Sequence, residues 1–196
     1  MTEPTVLVLL AARLRSRGSA DAVGETFAEL GGDPSEFPAL LEEAERLDQV
    51  RRRGQEQRRS LTGAGEAELA AHLAAETTRV GRADLGTAYE AFLPLNREFL
   101  AALSNTDLSN TDLSHTDLDD LVTRLRPVLR ALVGRLARFA GYERRFAIAL
   151  AAAVHDPDWV ASPRVDSVHT VWFELHEHLL ATLGRDRTQE RPHPPD

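Results

Sequence analysis

Apolar residues recur at helical spacing through nearly all of this chain, and one stretch does not follow: Val50-Arg-Arg-Arg-Gly-Gln-Glu-Gln-Arg-Arg-Ser-Leu-Thr62. Two short polar arms around Gly54 suit a β-hairpin, which confines the chain to a mainly α fold carrying one small sheet. Upstream, Val6, Leu7, Leu9, Leu10 and Leu14 predict a first helix that stops at Gly18. Ser19 is placed to cap a second, through Val23, Phe27 and Leu30 to the break at Gly31-Gly32. Asp33-Pro34 offers an N-cap and a proline-tolerant first position for a third helix carrying Phe37, Leu40, Leu41, Ala44 and Leu47. Pro38, four residues after Pro34, makes that helix start later or kink.

Helix, helix, turn, helix, hairpin is the element order of a winged helix-turn-helix, here residues 1–62, with the hairpin as its wing. Beyond Thr62 the helical period resumes in connecting long helices over 63–103, with a bend expected at Pro94. From Ser104 the chain reads Ser-Asn-Thr-Asp-Leu twice and Ser-His-Thr-Asp-Leu once, a period of five that fits neither helix nor strand. Three copies are too few to bury a core, and their composition is that of turns, so 104–118 is expected to be a loop. Thr116 or Asp117 then caps a helix with Leu118, Leu121, Leu125, Val128, Leu129, Leu132, Val133 and Leu136 on its apolar stripe. The helical region 119–185, a dimerisation or ligand half, includes a buried segment at 146–154 and a last helix ending at Leu183-Gly184, ahead of a flexible tail over 186–196.

Acidic residues number 31 against 23 basic ones, every one of them Arg, for a formal charge of -8. That balance argues against coating nucleic acid or an anionic membrane through overall charge, although a local basic patch survives within it. The absence of Cys removes disulfides, thiolate zinc sites and cysteine nucleophiles. The longest apolar run is too short to span a bilayer, and residues 6–12 lack a basic flank, so a cytoplasmic protein without cofactor or metal is expected.

Residues 58–69, Arg-Arg-Ser-Leu-Thr-Gly-Ala-Gly-Glu-Ala-Glu-Leu, resemble the second wing strand and following helix of MarR-type winged-helix regulators, where Leu-Thr with a later Gly is frequent. Leu95-Asn-Arg-Glu-Phe-Leu100 and Pro163-Arg-Val-Asp-Ser-Val-His-Thr-Val-Trp-Phe-Glu-Leu-His-Glu-His-Leu-Leu-Ala-Thr-Leu-Gly184 resemble small actinobacterial MarR-like transcriptional regulators over most of the chain. The resemblance implies a winged-helix domain, a helical carboxy-terminal half and a homodimer, and the all-Arg usage fits a high-GC genome. The repeats after Leu103 depart from it, standing where such relatives carry a Cys/Trp-containing segment.

A recognition helix reads base edges with Arg, Lys, Asn or Gln, while the wing and helix flanks hold phosphates. The third helix offers instead Ser35, Glu36, Glu42, Glu43 and Glu45, with Arg46 near its end. The wing is its opposite: Arg51, Arg52, Arg53, Arg58 and Arg59 fall within nine positions, with Gln55 at the tip. Ser35, Gln55 and those five arginines are the candidate DNA contacts, phosphate attachment dominating sequence readout. Residues 1–62 hold nine Arg against eleven acids, so the patch is local. The alternative is a scaffold in which the wing arginines pair with Glu42, Glu43 and Glu45.

At about 100° per residue, His169, Phe173, His176, Leu180 and Leu183 share the apolar face of the last helix, while Glu174 and His178 fall on the far, wet side. His169 and His176 lie about 10 Å apart along the axis, too far to share one metal ion. A small-molecule pocket remains: Arg164 for a carboxylate or phosphate, Asp166 to orient His169, Tyr142 and Trp172 as walls, and His176 beside them. Two functions follow from these residues and from the resemblance. One is a dimeric MarR-like regulator, with DNA on the winged helix and an effector in the carboxy-terminal helices. The other is a relative without DNA reading that binds or transforms a small molecule through His169, Asp166 and His176 near Arg164.

Overall fold

The computed structural model describes residues 2–16, 18–104 and 115–186. It is mainly helical with one two-stranded antiparallel sheet, the coarse class expected from periodicity. The elements are α1 (Pro4–Leu14), α2 (Ala20–Glu29), α3 (Phe37–Arg46), β1 (Val50–Arg53), β2 (Arg58–Leu61), α4 (Gly63–Val80), α5 (Arg82–Ser104) and α6 (His115–Val133). A 3-10 turn (Ala137–Phe139), α7 (Gly141–Ala153), α8 (Asp158–Ala161) and α9 (Val168–Leu183) complete it. Two compact units divide the chain, Met1–Arg82 with His176–Asp196 and Ala83–Leu175, so α9 gives its first half to the second unit and its second half to the first.

In the first unit α1 is apolar on every side, and each residue from Val6 to Ala12 is buried. A helix without a polar face belongs at the centre; α2, α3, α4 and β2 pack round it. Ser19 caps α2 as expected, its Oγ accepting from the Ala22 amide at 3.2 Å. The helix ends in the Gly31-Gly32 turn, with Gly31 at φ 95° and the Gly32 amide donating to the Phe27 carbonyl at 3.0 Å. Asp33 does not cap α3. It closes a turn, accepting from the Ser35 amide and hydroxyl at 2.9 and 2.8 Å, and α3 begins only at Phe37 with Pro38 in its first turn. Asp33-Pro34 reads as a cap locally, but a helix through Pro38 would need the amide that proline lacks.

The second unit gathers nine of the chain's eleven aromatic residues. Trp172 stacks on Phe99 at 4.4 Å between centroids and meets Phe92 and the edge of Phe146. Its indole Nε1 donates to Asn96 Oδ1 at 3.0 Å, satisfying both buried polar groups. Both long helices continue through an internal proline, α5 through Pro94 and α6 through Pro127. Of the five-residue repeats, residues 105–114 lie outside the described residues, as do residues 187–196 of the tail. The third copy is not all loop: α6 starts at His115, and Leu118 is buried.

Candidate functional site

The hairpin is rooted at both ends. Val50 pairs with Leu61, Arg51 with Ser60, Arg52 with Arg59 and Arg53 with Arg58, and the connection turns on Gly54 and Gln57, both at positive φ. The Arg59 amide donates to the Gly18 carbonyl at 2.8 Å, adding the segment between α1 and α2 as a one-bridge edge. Below it the Thr62 amide donates to the Gln49 carbonyl at 3.0 Å, while the Thr62 hydroxyl caps α4 by accepting from the Gly65 amide at 3.1 Å. A Cβ on Gly65 would sit 2.0 Å from the Gln49 carbonyl oxygen. The Leu-Thr-x-x-Gly stretch therefore has a local cause: a cap on the residue directly after the hairpin's second strand, and a backbone approach that admits no side chain.

Opposed residues of an antiparallel pair share a face, and neighbours alternate. Arg52 and Arg59 thus lie on one face of the hairpin, and Arg51, Arg53, Arg58 and Ser60 on the other. The first face is covered by Glu45 of α3. Arg52 donates through Nε and Nη2 to Glu45 Oε2 at 2.9 and 2.6 Å, and Arg59 Nε donates to Oε1 at 3.1 Å. The Arg52 hydrogen bond, with a smaller share from Arg59, outweighs partial burial and holds the Glu45 carboxyl below its ordinary range. Arg58 pairs with Glu56 at 2.5 Å, and Arg53 Nε donates to Ser60 Oγ at 3.0 Å. Arg51, exposed, forms no side-chain bond among the described residues. The expected pairing of the hairpin arginines with the acidic helix therefore concentrates on Glu45; Glu43 turns to Arg46 on its own helix, at 2.5 Å. Ser35 and Gln55 are exposed, Ser35 in the turn before α3 and Gln55 at the hairpin tip.

The second candidate centre is built differently from the way spacing suggests. Asp166 does not orient His169. It accepts from Arg145 of α7, Oδ2 from Nε at 2.8 Å and Oδ1 from Nη2 at 2.7 Å, and Glu174 of α9 takes the same Nη2. The guanidinium also lies over the Tyr142 ring, 5.5 Å from its centroid. Burial, the largest influence on Arg145, acts to lower its pKa, but the Asp166 hydrogen bond and the charges of Glu174 and Asp166 together outweigh it and keep it cationic. Glu174 and His178, assigned to the wet side, are 3% and 0% exposed, whereas Phe173, assigned to the apolar face, is 47% exposed. The helix is buried nearly all round, and its open stripe runs through Thr170, Phe173, Glu177 and Ala181.

Tyr142, Trp172 and His176 are buried. His169 is half-buried with its ring 6.2 Å from that of Phe99, and Arg164 is exposed in the turn ahead of α9. Arg145, Glu174 and Asn96 carry no mark in the spacing. The one available signal is a charged residue, Arg145, directly before the apolar run at 146–154. Among the described residues no three His, Asp or Glu side chains converge to hold a metal ion, and no helix is long and apolar enough to cross a membrane. Comparisons with protein-family models, with curated proteins and with solved structures each found no match.

Proposed function

We propose that this chain is a MarR-like transcriptional regulator in which residues 1–62 form a winged helix-turn-helix that binds DNA, acting as a homodimer through its helical half. The observation that carries the reading is the arginine-lined hairpin: Arg51, Arg52, Arg53 and Arg58 are exposed on a strand pair anchored to Gly18 and to the start of α4. Guanidinium groups on a rigid support suit phosphate oxygens, which they meet through two parallel donors. The acids of α3 add little base readout, so attachment is chiefly electrostatic and carries little sequence information. Asp166 bonded to Arg145 and Trp172 bonded to Asn96 have structural partners already, which favours an assembly role for those helices over an effector pocket.

An electrophoretic shift with a duplex from the chain's own upstream region tests this. Micromolar or tighter binding at 50 mM salt, falling steeply as salt rises and abolished by combined Arg51, Arg53 and Arg58 to Ala substitution, is the expected result. No shift at low salt would leave the winged helix as a scaffold without DNA binding.

A further inference from the structure

The five hairpin arginines are chemically alike but differently committed. Glu45 uses both carboxylate oxygens, one on Arg52 and one on Arg59, and is itself 15% exposed in its side chain. Arg59 is 12% exposed and so shielded from an outside anion by burial, whereas Arg52 is 55% exposed and is committed to Glu45 through both Nε and Nη2. Arg58 has Glu56 beside it. Arg51 and Arg53 are the two with no carboxylate partner among the described residues. Both are exposed on the face turned from Glu45, and Arg53 is steadied through Nε by Ser60, which leaves its Nη groups for another acceptor.

We propose that Glu45 is an internal counter-ion that withholds Arg52 and Arg59 from nucleic-acid phosphates, so that Arg51 and Arg53 make the hairpin's phosphate contacts and Glu45 sets how strongly the chain attaches to DNA. This rests on the DNA-binding reading above and deepens it. Two phosphate contacts per protomer correspond to a slope of about -1.8 for log affinity against log salt, and five would give about -4.5. The acidic third helix then has a function in the site. It limits indiscriminate attachment by a wing that would otherwise offer Arg52 and Arg59 to any duplex beside Arg51 and Arg53.

The test is the salt slope, measured by fluorescence anisotropy on a labelled duplex between 50 and 200 mM salt, with thermal unfolding recorded for each variant. Arg51→Ala and Arg53→Ala should each lower the slope by about 0.9 per protomer, and Arg52→Ala, exposed enough to fold normally, should leave it unchanged. Glu45→Gln should tighten binding severalfold at 50 mM and steepen the slope by about 0.9 or more. Glu42→Gln adds the same charge on the same helix without removing a hydrogen bond to Arg52 or Arg59, acting on Arg52 through charge alone, and should change the slope clearly less than Glu45→Gln does. A loss of slope in Arg52→Ala equal to that in Arg51→Ala, or identical slopes for Glu45→Gln and Glu42→Gln, would overturn the counter-ion role while DNA binding stands. Absence of wild-type binding at 50 mM salt would instead remove the DNA-binding reading itself.

Discussion

The hairpin and the Arg145 centre are inverted copies of one electrostatic idea. At the hairpin a single carboxylate, Glu45, is shared by two guanidinium groups at the edge of water. In the second unit a single guanidinium, Arg145, is shared by two carboxylates, its side chain 7% exposed and that of Glu174 4%. The difference in burial decides what each can do. A partly exposed pair contributes at most about 1 kcal/mol to stability, and this one stands beside two guanidinium groups, Arg51 and Arg53, that remain open to an outside anion. A buried pair gains little net stability from its own attraction, yet losing one partner strands a charge that has no water to replace it. The hairpin network is thus suited to binding and the Arg145 network to holding α7, the turn before α9 and α9 together.

The sharpest way to break this comparison is Arg145→Ala, which should cost about 3–5 kcal/mol and lower the midpoint of thermal unfolding by roughly 10 °C in a chain of this size. Arg145→Met combined with Glu174→Leu should recover much of that loss, because it removes the buried guanidinium together with its buried carboxylate and leaves only Asp166, whose side chain is 36% exposed. Equal damage from the single and double variants would show that packing, not charge, dominates there. Gly65→Ala comes next, at about 1–3 kcal/mol, since its Cβ would meet the Gln49 carbonyl at 2.0 Å and push α4 from the base of the hairpin. Denaturant midpoints measure it.

Glu45→Gln should change stability least of these, by under about 1 kcal/mol, and its effect depends on pH with a definite sign. The folded Glu45 carboxyl titrates below its ordinary 4.5, so its stabilising contribution is complete above that value and fades as pH falls through the folded value. Thermal midpoints of Glu45→Gln and the wild type should therefore differ at pH 7 and converge in acid. A difference that grows on acidification would contradict the pairing.

How far these features can be read from residues alone varies with the range of the interaction. The helix α1, the hairpin at Gly54, the Ser19 cap and the turn at Gly31 are local, and spacing carries them. Asp33 was legible as a turn-forming residue but not as the owner of a turn distinct from α3, because Pro38 decides that from four residues downstream of Pro34. The side of α9 that carries Glu174 and His178 could not be read from its pattern. A helix buried nearly all round has no wet face for an amphipathic wheel to find. Arg145 meets Asp166 and Glu174 across 21 and 29 residues, and pairs of that separation leave no period in a sequence. At the hairpin the arginine cluster was plain, but which of the five Glu45 would take depends on strand register, which assigns Arg52 and Arg59 to one face.

The central claim is that the hairpin holds DNA through guanidinium–phosphate contacts, and the salt dependence of duplex binding by the full chain tests it most directly. The account predicts measurable binding at 50 mM salt that weakens on raising salt to 200 mM, with a slope near -1.8 per protomer that falls to near zero when Arg51 and Arg53 are both replaced by Ala. Binding whose slope is unchanged in that double variant, or no binding at 50 mM, would contradict it.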